Sequence, residues 1–145
     1  MSLIRFALLG EGFLNIFTLP LLLNPRAVIT SMLRDPMTPI SPTVITTARV
    51  LAGIVVFGIT PVLWSCWPND PSSIQRRRPT YVALGLGELV LIPYFAMEGL
   101  SGQTLRSDKA WGMVACLVPL LLWRIYAMYI KPEMMGDRIG KTKRN

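Results

Sequence analysis

Two glutamates stand in apolar stretches of this chain, each in the same local phrase. Leu9-Gly10-Glu11 lies in the first apolar run and Leu86-Gly87-Glu88 in the third. An ionisable side chain in hydrocarbon is costly, so it normally faces a bundle interior and marks a working site. Two carboxyls at one level of a low-dielectric pocket do not both ionise cheaply. One is expected to keep its proton while an arginine holds the other as a carboxylate. That arrangement supplies an acid and a base in one site. It suits proton-driven chemistry on an apolar substrate: epoxide opening, ring closure or isomerisation.

Other residue types narrow the chemistry. The chain has no histidine. Ser-His and Cys-His nucleophile pairs are therefore excluded, as is a His-ligated haem. Two cysteines, Cys66 and Cys116, make no disulfide framework, and no zinc site can be assembled at the usual spacings. No Gly-rich phosphate loop is present, so nucleotide use is not expected. The reading calls for no metal and no cofactor.

The glutamates need elements to hold them. Of 145 residues, 52% are hydrophobic and 16% charged, and the mean hydropathy is +0.46. Soluble domains carry charge on about a quarter of their residues. The expected fold is all-α and membrane-embedded, a four-transmembrane-helix bundle forming one domain over 1-145. The spans fall at about 3-23, 43-67, 80-100 and 110-130, with a basic tail over 131-145. Each is close to the ~20 residues that cross the hydrocarbon core. The first run reads as a span rather than a signal peptide. It contains Glu11 and Asn15, and no small-x-small cleavage site follows. The segment from Asn24 to Pro42 holds four prolines and is long enough for a lid or a short interfacial helix. Each span carries an interior proline: Pro20, Pro61, Pro93 and Pro119.

Depth and face bring particular residues together. Glu11 lies eight residues into span one and Glu88 eight residues into span three, counted from the same side. At ~1.5 Å per residue both are about 12 Å deep, and Arg124 enters span four from that side to about 9 Å. Arg49 and Glu98 fall nearer the other side and suggest a second polar layer. Glu11, Asn15 and Thr18 share a helical stripe. Arg49, Gly53, Thr60 and Trp67 are expected along one face of span two, and Tyr81 aligns with Glu88, with Tyr94 and Glu98 beside them past Pro93. Glu11 and Glu88 are thus the candidate acid–base pair, the alternative being a structural ion pair with Arg49 or Arg124. Asn15, Arg49, Tyr81, Tyr94, Glu98 and Arg124 are candidates for binding substrate or steadying charge. Glu88 is read as the acid, because Leu84, Leu86, Leu89, Val90 and Ile92 around it are apolar. Glu11 is read as the base. The spacings from Glu11 to Arg49 (38 residues) and from Glu88 to Arg124 (36 residues) suggest two related helical hairpins. Either arginine has a plainer use, since a long basic side chain can snorkel to the interface.

The net charge of +7 reads as membrane flanking rather than nucleic-acid binding, since no basic-aromatic motif of a nucleic-acid reader is present. Four spans put both termini on one side. That side holds Arg76, Arg77, Arg78, Lys131, Arg138, Lys141, Lys143 and Arg144. The other side holds Arg26, Arg34, Arg106 and Lys109. The positive-inside rule then places both termini in the cytoplasm, and the endoplasmic reticulum is the expected membrane. The expected partners are a lipophilic small-molecule substrate and membrane lipid, with homo-oligomerisation left open.

The order of elements resembles the small four-helix DoxX-like membrane proteins, whose first span often reads as a small-Glu or small-polar phrase, as Leu9-Gly10-Glu11-Gly12-Phe13 does here. It also resembles the small integral-membrane epoxide hydrolases and cyclases of fungal polyketide pathways, the aurovertin and citreoviridin type. In placing acidic residues inside a helical bundle it is similar to fungal membrane-bound terpene cyclases, which are longer. The resemblance covers the whole chain in hydropathy. It implies an enzyme that opens, cyclises or isomerises a lipophilic polyketide or terpenoid, with Glu11 and Glu88 in the site. A small transporter, an assembly or scaffold subunit, and a lipid-binding protein are the alternatives. An enclosed pocket faced by both glutamates distinguishes the enzyme from a scaffold, which would have none.

Overall fold

A computed structural model describes residues 3–136, and every element there is helical apart from one isolated β-bridge between Leu33 and Leu105. Four helical segments are long and apolar enough to cross a membrane: Leu3–Leu23, Pro42–Ser65, Pro71–Ser101 and Ser107–Ile130. In a bilayer the backbone must satisfy its own hydrogen bonds, which leaves helices as the solution for apolar runs of this length. The chain is a multi-pass, all-α membrane protein. Its outward faces carry large apolar side chains, with Phe17 and Leu100 about four-fifths exposed, as lipid contact requires. Of the predicted basic tail, Arg138, Lys141, Lys143 and Arg144 lie outside the described residues.

The prolines shape the spans unequally. Span one is α1 (Leu3–Ile16) followed by α2 (Leu19–Leu23). Pro20 cannot donate to the carbonyl of Ile16 and its ring crowds it, so α1 stops there. The amide and hydroxyl of Thr18 both turn back onto the carbonyl of Asn15, at 3.0 and 2.6 Å. Span two is α4 (Pro42–Gly53), a wide π-turn (Ile54–Ile59) and α5 (Thr60–Ser65). The π-turn precedes Pro61, and the Thr60 hydroxyl donates to the carbonyl of Val55 at 3.0 Å. In span three, α6 (Pro71–Ser101) runs through both Pro79 and Pro93. Span four is α7 (Ser107–Ile125) with a π-turn over Tyr126–Ile130. Between spans one and two lies α3 (Pro25–Met32), the short helix expected in the proline-rich loop, capped by Asn24.

Span three starts nine residues earlier than its hydropathy suggests. Asp70 caps α6, accepting from the amides of Ser72 and Ser73 at 3.0 Å each, so the Arg76-Arg77-Arg78 triplet is helical rather than loop. Hydropathy marks the hydrocarbon thickness, and a helix can continue about 13 Å past it in nine residues. Arg77 is buried. It donates to the carbonyls of Cys66 (2.9 Å) and Pro68 (2.7 Å). Arg5 donates to the carbonyl of Trp67 at 3.0 Å and lies over its ring. Two cations thus satisfy the free carbonyls at the end of span two, where the helix dipole favours positive charge.

Spans one and two pack as one hairpin and spans three and four as another. The tight apolar core is confined to the end where span one begins. It contains Ile4, Leu8, Leu63, Cys66, Tyr81, Ala127, Met128 and Met135. At the opposite end the two connecting loops are tied together. Arg34 N–H donates to the carbonyl of Thr104 and Arg106 N–H to that of Met32, while the Arg34 guanidinium donates to the carbonyl of Gly102 at 2.7 Å.

Candidate functional site

Above the core the four spans diverge around a cavity of about 490 Å³. Its walls are almost wholly apolar, with Leu14 from span one, Val55 and Ile59 from span two, Leu91 and Phe95 from span three, and Met113 and Leu117 from span four. Its polar lining is Asn15, Thr18 and a three-residue cluster of Glu11, Glu88 and Arg124, one each from spans one, three and four. The cluster sits where the packed core ends and the cavity begins. All three residues are buried, at 6, 6 and 3% exposure.

One guanidinium holds both carboxylates. Nη2 of Arg124 donates to Oε2 of Glu11 at 2.7 Å, and Nη1 to Oε1 of Glu88 at 2.5 Å. The rigid fork of a guanidinium can do this only if the two carboxyl oxygens lie within about 8 Å of each other. Helix geometry explains the reach. Arg124 is in the last turn of α7, and its methylenes cross α6 beside Gly85, where a Cβ would lie 3.8 Å from Cδ. Glu11 has Gly12 next to it, and the Trp64 indole occupies the place of a side chain there. That contact draws span one against span two. Gly87, next to Glu88, meets nothing and opens onto the cavity. Small residues therefore serve both close helix approach and space.

The cluster is not saturated. Among the described residues, Oε1 of Glu11, Oε2 of Glu88 and Nε of Arg124 meet no hydrogen-bond partner, and neither does Nδ2 of Asn15. Buried polar groups without partners are rare and call for an explanation. Each carboxyl keeps one oxygen for a proton or a ligand.

The other predicted site residues divide. Asn15 lines the cavity one turn above Glu11. Tyr81 is fully buried beneath the cluster. Its hydroxyl accepts from Nε1 of Trp123 at 3.2 Å, and its ring faces the Arg124 guanidinium at 5.3 Å. Three lie away from the cluster and the cavity. Arg49 is exposed and does not reach the cluster. The π-turn between it and Thr60 adds one residue to the helix, which rotates the face by about 100°. Thr60 accordingly turns inward while Arg49 turns outward. The Arg49 and Arg124 positions are therefore not equivalent in the two hairpins. Tyr94 is half-exposed and packs edge-on against Phe95. Glu98 accepts from the amides of Thr104 and Leu105, at 3.3 and 3.2 Å, and so orders the loop after α6 instead of forming a second polar layer with Arg49.

Some structural partners escaped sequence reasoning. Trp123 supports Tyr81 from a position 42 residues away, and nothing in its own neighbourhood signals this. Arg77 reads as a topology signal in sequence and is a buried cap in the fold. No family model, no curated protein and no solved structure matches this chain, so its site is defined by its own geometry.

Proposed function

We propose that this protein is a membrane-embedded acid–base enzyme that opens an epoxide, or cyclises or isomerises a lipophilic polyketide or terpenoid. One observation carries the reading: two carboxyls bridged by one arginine line a mostly apolar cavity, each with an oxygen that meets no partner among the described residues. With both carboxylates ionised the cluster would carry one net negative charge. A single added proton makes it neutral, which is the cheap state in hydrocarbon. That proton is the reagent. Glu88 donates it to the epoxide oxygen as the C–O bond breaks. Glu11 accepts a proton from water or from a substrate hydroxyl as that oxygen attacks the carbon. The products are a diol or a cyclic ether, and the proton now on Glu11 returns to Glu88 to restore the cluster. Arg124 holds both groups in place throughout. The likeness to the small membrane epoxide hydrolases and cyclases points the same way.

Acid and base roles are each worth about 10²–10⁴ in rate. Glu11→Gln and Glu88→Gln should each lose that much conversion of a polyene epoxide by microsomes, with the protein still folded. Full turnover by both variants would reject the reading and favour a transport or assembly role.

In this reading the membrane is the endoplasmic reticulum and both termini face the cytoplasm. The exposed Arg76 and Arg78 at the end of the bundle where span one begins support that orientation. Glycosylation tags on the termini should remain unmodified, and modification of either would reverse it.

A further inference from the structure

The packed core lies beneath Glu11 and Glu88, at the polar end of the cavity. A second apolar hollow, of about 470 Å³, lies between spans two and three. It is lined by Ile54, Gly58 and Val62 on one side and by Pro79 and Thr80 on the other. Ile54 and Val62 are about half exposed, so this hollow faces the surrounding lipid. It shares Ile59, Ala83 and Leu84 with the cavity. Those three side chains alone are common walls. Ile59 and Leu84 are half-buried, and Ala83 is small.

We propose that this groove is the lateral portal by which an elongated, lipophilic substrate passes from the bilayer to Glu11, Glu88 and Arg124, with Ile59 and Leu84 as its gate. The inference rests on the catalytic reading for what passes and on the shared walls for where it passes. Three features make the opening. The π-turn over Ile54–Ile59 widens span two at the groove. Gly58 puts no side chain there, and a Cβ would find only Ile54, at 3.9 Å. Spans two and three also pack far more loosely than spans three and four. Ile59 and Leu84 can change rotamer without breaking a hydrogen bond, because neither has a polar side-chain atom.

Labelling in proteoliposomes tests the path without catalysis. In a Cys116→Ser background, where the remaining Cys66 is fully buried, a reporter Leu117→Cys is placed on the far cavity wall. The probe is pyrene maleimide, which partitions into lipid. It should label the reporter, and Gly58→Trp should slow labelling at least about fivefold, a modest rise in barrier. Leu84→Ala should speed it, and Val90→Trp, on an outward face of the same span, should leave it unchanged. An unchanged rate in folded Gly58→Trp overturns the portal, as does no labelling of the reporter. Equally fast labelling by a charged, water-borne methanethiosulfonate also overturns it. If Gly58→Trp does not fold, a failure of Leu84→Ala to speed labelling overturns it alone. Glu11→Gln and Glu88→Gln should label as the reporter does. Loss of the catalytic reading would therefore leave this result standing, and the reverse also holds.

Discussion

Arg124 donates to Glu11 at 2.7 Å across 113 residues of sequence, joining the last span to the first. The same guanidinium holds Glu88 on span three. Removing it would leave two buried carboxyls facing each other. Arg124→Met should therefore lower stability by about 3–5 kcal/mol, the usual cost of orphaning a buried charge. Adding Glu11→Gln and Glu88→Gln to it should recover most of that loss. Unfolding in mild detergent would measure both. A melt of Arg124→Met equal to the parent would show that the cluster does not hold the spans together.

Gly12 lies under the Trp64 indole, where a Cβ would overlap the ring. Gly12→Leu should cost about 1–3 kcal/mol through overpacking. Gly10, with open space around it, should accept leucine without loss. Thermal unfolding of the pair separates a close-contact glycine from an incidental one, and equal melts would refute the contact.

Arg77 and its neighbours make an internal comparison. Arg77→Gln breaks charge-assisted bonds to the carbonyls of Cys66 and Pro68. Such bonds are worth about 1.5–3 kcal/mol each. Arg76 and Arg78 are exposed, and glutamine there should change stability by less than about 0.5 kcal/mol. Equal effects at all three positions would mean the triplet acts only through its charge.

Asp70 sets a pH dependence at the start of α6. The hydroxyls of Ser72 and Ser73, with the Ser73 amide, hold its carboxyl well below the usual carboxylate range. A depressed folded value means that the cap's contribution is complete above the unfolded value of about 3.9 and is lost as pH falls below it. Amide exchange at Ser72 and Ser73 should therefore stay slow from neutral pH to about 4 and quicken, relative to Asp70→Asn, only below that. Relative quickening near neutrality would contradict the cap.

The composition and hydropathy of the chain determined the number of spans, because a bilayer admits little besides helices for long apolar runs. Counting residues from the span ends also placed Glu11 and Glu88 at one depth, since helix rise is constant. It could not choose between Arg49 and Arg124. Each lies near an interface, where its side chain can reach inward or out to water. The choice was made by the π-turn in span two, which turned Arg49 to the outside, and by Gly85, which let the Arg124 side chain cross span three. A π-turn adds one residue to a helical turn and leaves no mark in the hydropathy of that segment. The length of α6 was hidden for a different reason: its first nine residues are polar helix, which hydropathy does not count. The apolar cavity and its shared walls with the lipid-facing groove arose only when four spans packed tightly at one end and loosely at the other. That difference depends on which side chains meet, and neither partner alone encodes it.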